Sequence, residues 1–296
     1  MFDFSGPRLA VSKRLISECP KVTVIGILHA LADTQEFLTY MVENGHSVPV
    51  IFAKPYSKDS NAITSIERLG VRVEQLDYET LENTSILRET ITREIRVSDK
   101  PLVLIDIGGY FVKPLLELSR EESKTLPLGV VEVTTFGHKR YSERIENIAV
   151  PVISIAQSPI KDVEAAFVGE STWFAMDKIL RNVGMSAFAR RVGIVGYGMI
   201  GRRVASVAQS NGAYTRIFDR DPLKLLEARS FKHEIRFSLT ALLQDTEIVI
   251  SATGETALSV HEILNARDGI VLASAGSKLL EIDVAVSKDL QAVLAA

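Results

Sequence analysis

Short apolar runs recur along this chain, separated by stretches in which apolar positions return every three or four residues. The run KVTVIGI, Lys21 to Ile27, reads as a buried strand. After His29-Ala30 a helical pattern follows through Leu31, Phe37, Leu38, Met41 and Val42, stopping at Asn44-Gly45. Val48 to Ala53 reads as the next strand, Asn61 to Leu69 as a helix closed by Gly70, and Val71 to Val73 alternates as a strand does. A charged helical stretch, Glu79 to Arg96, leads to the strand Leu102 to Ile105, closed by Asp106, and then to strands at Gly129 to Glu132 and Pro151 to Ile155. Strands alternating with helices predict a parallel sheet with helices on both faces. Beyond a long helical segment, Lys161 to Ala189, further strands are expected at Val192 to Val195, Tyr214 to Phe218, Glu247 to Ser251 and Gly269 to Ser274. The expected class is α/β in two domains: an N-terminal α/β domain over 1–165, a helical linker over 166–189, and a second doubly wound parallel sheet over 190–296.

The stretch Val192 to Asp219 gives the second domain a chemistry. An apolar strand enters Gly196-Tyr197-Gly198-Met199-Ile200-Gly201, and helical spacing follows through Val204, Val207 and Ala208. Gly196 permits a tight turn, Gly198 leaves the backbone open to a pyrophosphate, and Gly201 lets the helix lie close to the strand. The first helical N–H groups, at Met199 and Ile200, then face the phosphates. The second strand ends in Asp219, eighteen residues beyond Gly201. A carboxylate there accepts hydrogen bonds from a ribose diol and repels a 2′-phosphate, which favours NAD over NADP; Arg216 and Arg220 weaken that preference. The crevice is expected at the carboxyl ends of the strands, near Gly196, Asp219 and Thr253-Gly254. This is a Rossmann arrangement, and NAD is the expected cofactor.

Composition narrows the partners. Apolar residues make up 46 % and charged residues 24 %, and 34 Lys and Arg nearly balance 37 Asp and Glu, so no broad basic surface invites nucleic acid. Cys19 is the only cysteine, which rules out an intramolecular disulfide or a cysteine metal site. The N-terminal stretch lacks a signal peptide's apolar core, and no run of about eighteen apolar residues occurs, so a soluble cytoplasmic protein that does not enter the membrane is expected. No HExxH, CxxC or GxSxG is present, and His138, His233 and His261 lack a metal-ligand pattern. His29 follows a strand and Asp33 lies four residues on, so both are candidates to line a cleft; Asp106, at a strand end, is a candidate ligand group.

The motifs, in order, resemble those of the adenosylhomocysteinase family. They are GILH (Gly26 to His29), DIGG (Asp106 to Gly109), EVTTFGHKRY (Glu132 to Tyr141), Ser158-Pro159-Ile160-Lys161, the GYGMIG loop, Asp221-Pro222, and LEIDV (Leu280 to Val284). The resemblance runs from about Lys21 to Val284. It implies that the N-terminal domain is a substrate domain and the second a nucleotide domain, with tightly held NAD oxidising a ribose 3′-hydroxyl, permitting elimination, and being regenerated in the last step. It also implies that Lys161 sits beside the hydroxyl that is oxidised, and that Thr134 and Thr135 hold the nicotinamide-side ribose.

The departures change the expected activity. The family's paired acids before the two glycines become Asp106-Ile107, and its Glu-Glu-Thr-Thr-Thr-Gly becomes Glu132-Val133-Thr134-Thr135-Phe136-Gly137. The Asp and Asn after its lysine are Ala165 and Ala166, and its Ile-Gly-His is Ala275-Gly276-Ser277. The sequence given ends at Ala296, where the family continues through a second substrate-domain segment and an arm reaching a neighbour's NAD. Catalytic candidates are therefore His29, Lys161 and Asp106, expected to act on a small nucleoside-like substrate in a homo-oligomer. The expected reaction is NAD-dependent oxidation or reduction of a nucleoside or sugar-like hydroxyl. Two alternatives stand beside it: a non-catalytic NAD(H)-binding protein, and a 2-hydroxyacid dehydrogenase, which would want an Arg for a carboxylate and a His for the proton.

Overall fold

The computed structural model describes residues 10–120, 126–276 and 281–283. The chain divides into two compact units, Met1–Ser158 and Pro159–Ala296. In the first, after helix α1 (Ala10–Glu18), strands β1 (Thr23–Ala30), β2 (Ser47–Lys58), β3 (Arg72–Glu74), β4 (Leu102–Asp106), β5 (Gly129–Glu132) and β6 (Val152–Ser154) form one sheet in the order β3-β2-β1-β4-β5-β6. Every pairing is parallel. The connections carry helices α2 (Ala32–Glu43), α3 (Ser60–Arg68), α4 (Tyr78–Glu82), α5 (Thr84–Val97), α6 (Val112–Arg120) and α7 (Thr135–Ser142).

Period-2 alternation sends successive side chains to opposite faces, and both faces are covered, so the strands read as continuous apolar runs. Ile25 and Ile27 join one core with Phe52, Leu104 and Phe111, whereas Val24 and Leu28 join the other with Leu38, Ile51 and Ile66. The charged stretch expected as one helix breaks at Asn83, whose side chain accepts from Ser85 N at 3.1 Å and so caps α5.

The second unit opens with α8 (Ile160–Asn182) and continues with β7 (Arg191–Val195), α9 (Met199–Ser210), β8 (Tyr214–Phe218), α10 (Pro222–Ser230), β9 (Glu234–Ile235), α11 (Leu239–Asp245), β10 (Ile248–Ser251), α12 (Val260–Leu264) and β11 (Val271–Ser274). Its parallel sheet has the order β11-β10-β7-β8-β9. The long helix is not a linker. Trp173, Met176 and Leu180 of α8 enter the same core as Val192, Ile194 and Val204, and the division falls before the helix, between Ser158 and Pro159. Gly169 makes this possible: a Cβ there would lie 2.7 Å from Cβ of Arg203. Of the expected motif residues, Ser277, Leu280 and Val284 lie outside the described residues. Among the described residues no helix is long and apolar enough to cross a membrane.

Candidate functional site

In the second unit the sheet order reverses direction between β7 and β10, and the turn after β7 lies at that switch point. Gly196 has φ +89°, and a Cβ on it would come within 3.0 Å of the Ala252 carbonyl oxygen and of Thr253 Cγ2. The turn is thus pressed against the end of β10. A Cβ on Gly201 would stand 1.8 Å from the Gly196 carbonyl oxygen, so helix α9 starts directly over the turn. Gly198 is different: it caps α9 and a Cβ on it meets nothing within 4 Å. The first turn-closing bond runs from Arg202 N to Gly198 O, at 3.0 Å. Helix geometry leaves the N–H groups of Met199, Ile200 and Gly201 without an acceptor inside the helix. Those donors, beside the open space at Gly198, suit a pyrophosphate.

Asp219 ends its strand as the spacing requires. Its Oδ2 accepts from Tyr197 N at 2.6 Å and its Oδ1 from Asp221 N at 2.8 Å, so the acid ties the end of β8 to the glycine turn. Each oxygen keeps a lone-pair site for a diol. Arg216 is not near it; its guanidinium bonds Glu234 at 2.9 Å and reaches Asp245. The cation beside Asp219 is Lys224, at 3.7 Å, which the sequence pattern did not single out. Its signal lies in the Asp221-Pro222 helix start, which turns the fifth residue after Asp219 back toward it.

Tyr197 and Glu281 stand in the motifs read from the sequence, but their roles there were not assigned. The Tyr197 ring is buried edge-on to His233, with centroids 5.7 Å apart, and His233 Nδ1 lies 2.7 Å from the Thr215 hydroxyl. Burial lowers the pKa of His233, which keeps this prop neutral. Thr253 donates to the Glu255 carbonyl at 2.7 Å, and Gly254, at φ +71°, donates its N–H to buried Glu281 at 2.9 Å. Thr253 and Gly254 are therefore held as a shaped loop against the glycine turn.

In the first unit the corresponding switch point lies between β1 and β4, and the turn after β4 is built from charge. Asp106 and Glu132 are paired positions at the ends of β4 and β5, and both are fully buried. Asp106 accepts from Tyr110 N at 3.2 Å, Phe111 N at 2.9 Å and the Tyr141 hydroxyl at 2.8 Å. Glu132 accepts from Gly108 N at 3.3 Å, Gly109 N at 3.0 Å, Thr134 N at 2.6 Å and Thr134 Oγ1 at 2.7 Å. Lys54, also buried, donates to the Ile107 carbonyl at 3.2 Å, and Arg140 donates to that of Gly108 at 3.0 Å. Burial, with the Asp106 charge beside it, raises Glu132 to about 7; burial also raises Asp106, against the pull of its three donors. Gly137 is fixed by the same group, since a Cβ there would fall 2.2 Å from the Glu132 carboxylate.

This geometry corrects two expectations. Asp106 is not a ligand-facing group: its carboxylate points inward and shapes the turn. His29 does not follow the strand but lies within β1, and Asp33 is exposed in the first turn of α2. The His29 ring instead stands edge-on to Tyr56, at 5.9 Å, and Tyr56 stacks on Tyr78 at 6.0 Å. Thr134 caps α7 by accepting from Gly137 N at 3.0 Å, and Thr135 is exposed. Lys161 belongs to the second unit, in the first turn of α8, where it pairs with Glu164. Ala165 is buried in the packing of that helix.

Residues 158–269 match the family described as D-isomer specific 2-hydroxyacid dehydrogenase, NAD binding domain. The chain is 29 % identical over 268 residues to the adenosylhomocysteinase of Thermotoga maritima, covering 89 % of this chain and 64 % of that protein. It is 27 % identical over 267 residues to the S-inosyl-L-homocysteine hydrolase of Methanothermobacter thermautotrophicus, covering 88 % and 62 %. It thus spans less than two thirds of the length of either relative. The D-lactate dehydrogenase of Escherichia coli shares its fold, with a TM-score of 0.57 at 13 % identity, covering 91 % of this chain and 78 % of that one. The chain is an NAD-binding Rossmann protein with distant homology to the adenosylhomocysteinases and a dehydrogenase-like fold.

Proposed function

We propose that this protein is an enzyme that uses NAD to oxidise a hydroxyl of a nucleoside-like or sugar-like small molecule, or NADH to reduce the matching ketone, with a substrate site altered from that of the adenosylhomocysteinases. The observation that supports this reading is the turn at Gly196 to Gly201, open at Gly198, with the Asp219 carboxylate bonded to its Tyr197 N–H. Gly196, Gly198 and Gly201 with the N–H groups of Met199 and Ile200 would hold the phosphates, and Asp219 the adenosine ribose. Thr253 and Gly254 flank the crevice. When bound, NAD supplies the hydride acceptor. Lys161 is the candidate cation that lowers the cost of deprotonating the hydroxyl, and His29 the candidate proton acceptor. Asp106 serves by positioning the turn after β4.

Hydrolysis of adenosylhomocysteine needs further acids and bases to remove a proton beside the new ketone and expel the 5′ group. At those places this chain has Val133, Ala165, Ala166 and Ser277. Each such group contributes about 10² to 10⁴ in rate, so little turnover is expected. A non-catalytic NAD(H)-binding role is the second reading, favoured by the burial of Ala165 and by the Lys161–Glu164 pair, which occupies the candidate cation.

The test is to denature the purified protein and assay released NAD and NADH, then to follow free thiol and NADH absorbance with adenosylhomocysteine and a panel of nucleosides. Reduction of the cofactor by a nucleoside without thiol release is the expected result. Fast thiol release would make the protein an ordinary hydrolase of that kind, and silence on both signals would leave the non-catalytic reading.

A further inference from the structure

At the carboxyl end of the first sheet, β1 and β2 fall out of step. Leu28 pairs with Ala53 and Ala30 with Lys58, so residues 54–57 of β2 arch out of the ladder. A bulge re-aims side chains, and Pro55 within it has no N–H to leave unpaired. Here it sends Lys54 inward, 2 % exposed, and Tyr56 outward, 44 % exposed.

Three rings meet the Lys54 ammonium. Nζ lies 4.4 Å from the ring centroid of Tyr110, 5.5 Å from that of Tyr78 and 5.9 Å from that of Tyr56. All three are inside the roughly 6 Å at which the negative face of an aromatic ring attracts a cation. Nζ also donates to the Ile107 carbonyl and to the Tyr110 hydroxyl, each at 3.2 Å. The rings come from separate stretches: Tyr56 from the bulge, Tyr78 from the first turn of α4, and Tyr110 from the turn after β4, at the switch point. Burial raises Tyr78 to about 12 and raises Tyr110 as well, so both remain neutral phenols and the attraction is that of ring faces.

Aromatic rings gathered round one ammonium are the means by which proteins take up the ammonium groups of ligands. In this chain the occupant is built in. We propose that Tyr56, Tyr78 and Tyr110 form a cation cage in the crevice of the first unit, and that Lys54, by filling it, bars ligands that bring an ammonium group of their own while neutral ones are admitted. Lys54 is then a specificity-determining residue, an inference that rests on the proposed function in taking this crevice as the substrate side. A second ammonium would meet like charge in a cage already full, which is discrimination by a built-in repulsion. Adenosylhomocysteine carries an ammonium on its amino-acid tail; a simple nucleoside does not.

The test is read on the full chain without cofactor or nucleoside, so its failure is separate from any failure of the proposed reaction. Lys54→Ala deletes the methylenes beyond Cβ and the ammonium, which together are the fragment that propylammonium supplies. A buried cavity of this kind still takes up small molecules. The variant should melt below the parent, and its midpoint should rise with propylammonium concentration while that of the parent does not. n-Propanol, of the same shape without the charge, should leave both unchanged, and Tyr110→Leu added to Lys54→Ala should remove the rescue. A second measurement needs no cavity. In the NMR spectrum of the parent, one lysine ε-methylene is shifted to high field by the rings around it, and Lys54→Met, which keeps the length of the side chain without its charge, removes that signal alone. Rescue by propanol as strong as by the amine would make the space merely apolar, equal stabilisation of the parent would make the amine effect nonspecific, and the lack of a high-field lysine signal would show that the rings do not surround Lys54. Each of these overturns the proposal.

Discussion

The two units hold comparable turns at their switch points, one after β4 and one after β7, and treat the backbone donors there in opposite ways. In the first unit, Gly108, Gly109, Tyr110 and Phe111 give their N–H groups to two carboxylates of the protein itself. In the second, one internal carboxylate, Asp219, takes the Tyr197 N–H, and the first-turn donors of α9 are left facing open space at Gly198. The same kind of turn is closed in one unit by the protein's own carboxyl groups and left open in the other. A glycine-rich strand-to-helix turn is therefore not by itself a phosphate site: what decides is whether the chain has already filled it.

Glycine substitution should separate the two turns most sharply. Gly198→Val is expected to abolish NAD binding by calorimetry while leaving the melting temperature near that of the parent, because its φ of −79° suits any residue and the space ahead of it is open. Gly109→Val should instead prevent stable folding: φ is +68° and a Cβ would press on Gly137 Cα at 3.1 Å. Unchanged NAD binding in the first variant would show that the open turn is not the phosphate site.

Removing the built-in anion comes next in size. Glu132→Ala leaves buried donors at Gly108, Gly109 and Thr134 unmet, and a loss of about 3 to 5 kcal/mol is expected in urea denaturation. The pH dependence has a definite sign. Because the folded-state pKa of Glu132 is raised to about 7 from 4.5, the folded protein holds a proton that the unfolded chain releases between those values. Its contribution to stability therefore falls as pH rises from about 4.5 to about 7 and is level beyond that. Glu132→Gln should flatten that slope; a slope that survives the change would assign the titration elsewhere.

On the open side, Asp219→Ala is expected to weaken NAD by about 1.5 to 3 kcal/mol, the worth of hydrogen bonds to a charged group. With Lys224 left at the ribose end, the variant should also lose most of its preference over NADP, and calorimetric titration of both cofactors checks this. Equal affinity for the two in the unsubstituted protein would count against Asp219 as the discriminating group. The smallest effect belongs to Tyr141→Phe, which removes one of three donors to Asp106 at a cost of about 1 kcal/mol, read from the denaturation midpoint.

The parallel sheets and the cofactor turn were legible in the sequence because they depend on local rules. A strand buried on both faces must be a short apolar run, and a turn at φ +89° under a helix start needs glycine at Gly196 and Gly201. The adenosylhomocysteinase resemblance was legible for the same reason, as colinear motifs. Tertiary structure alone decided what rests on contacts between distant residues. Asp106 reads as an exposed strand-end acid until Tyr141, thirty-five residues on, is seen to donate to it. Lys54, Glu132 and Arg140 become one clamp only when β2, β5 and α7 converge on the same turn. Helix α8 reads as a linker because periodicity shows that a helix is apolar but not what its faces meet. Packing against α9 placed it in the second unit.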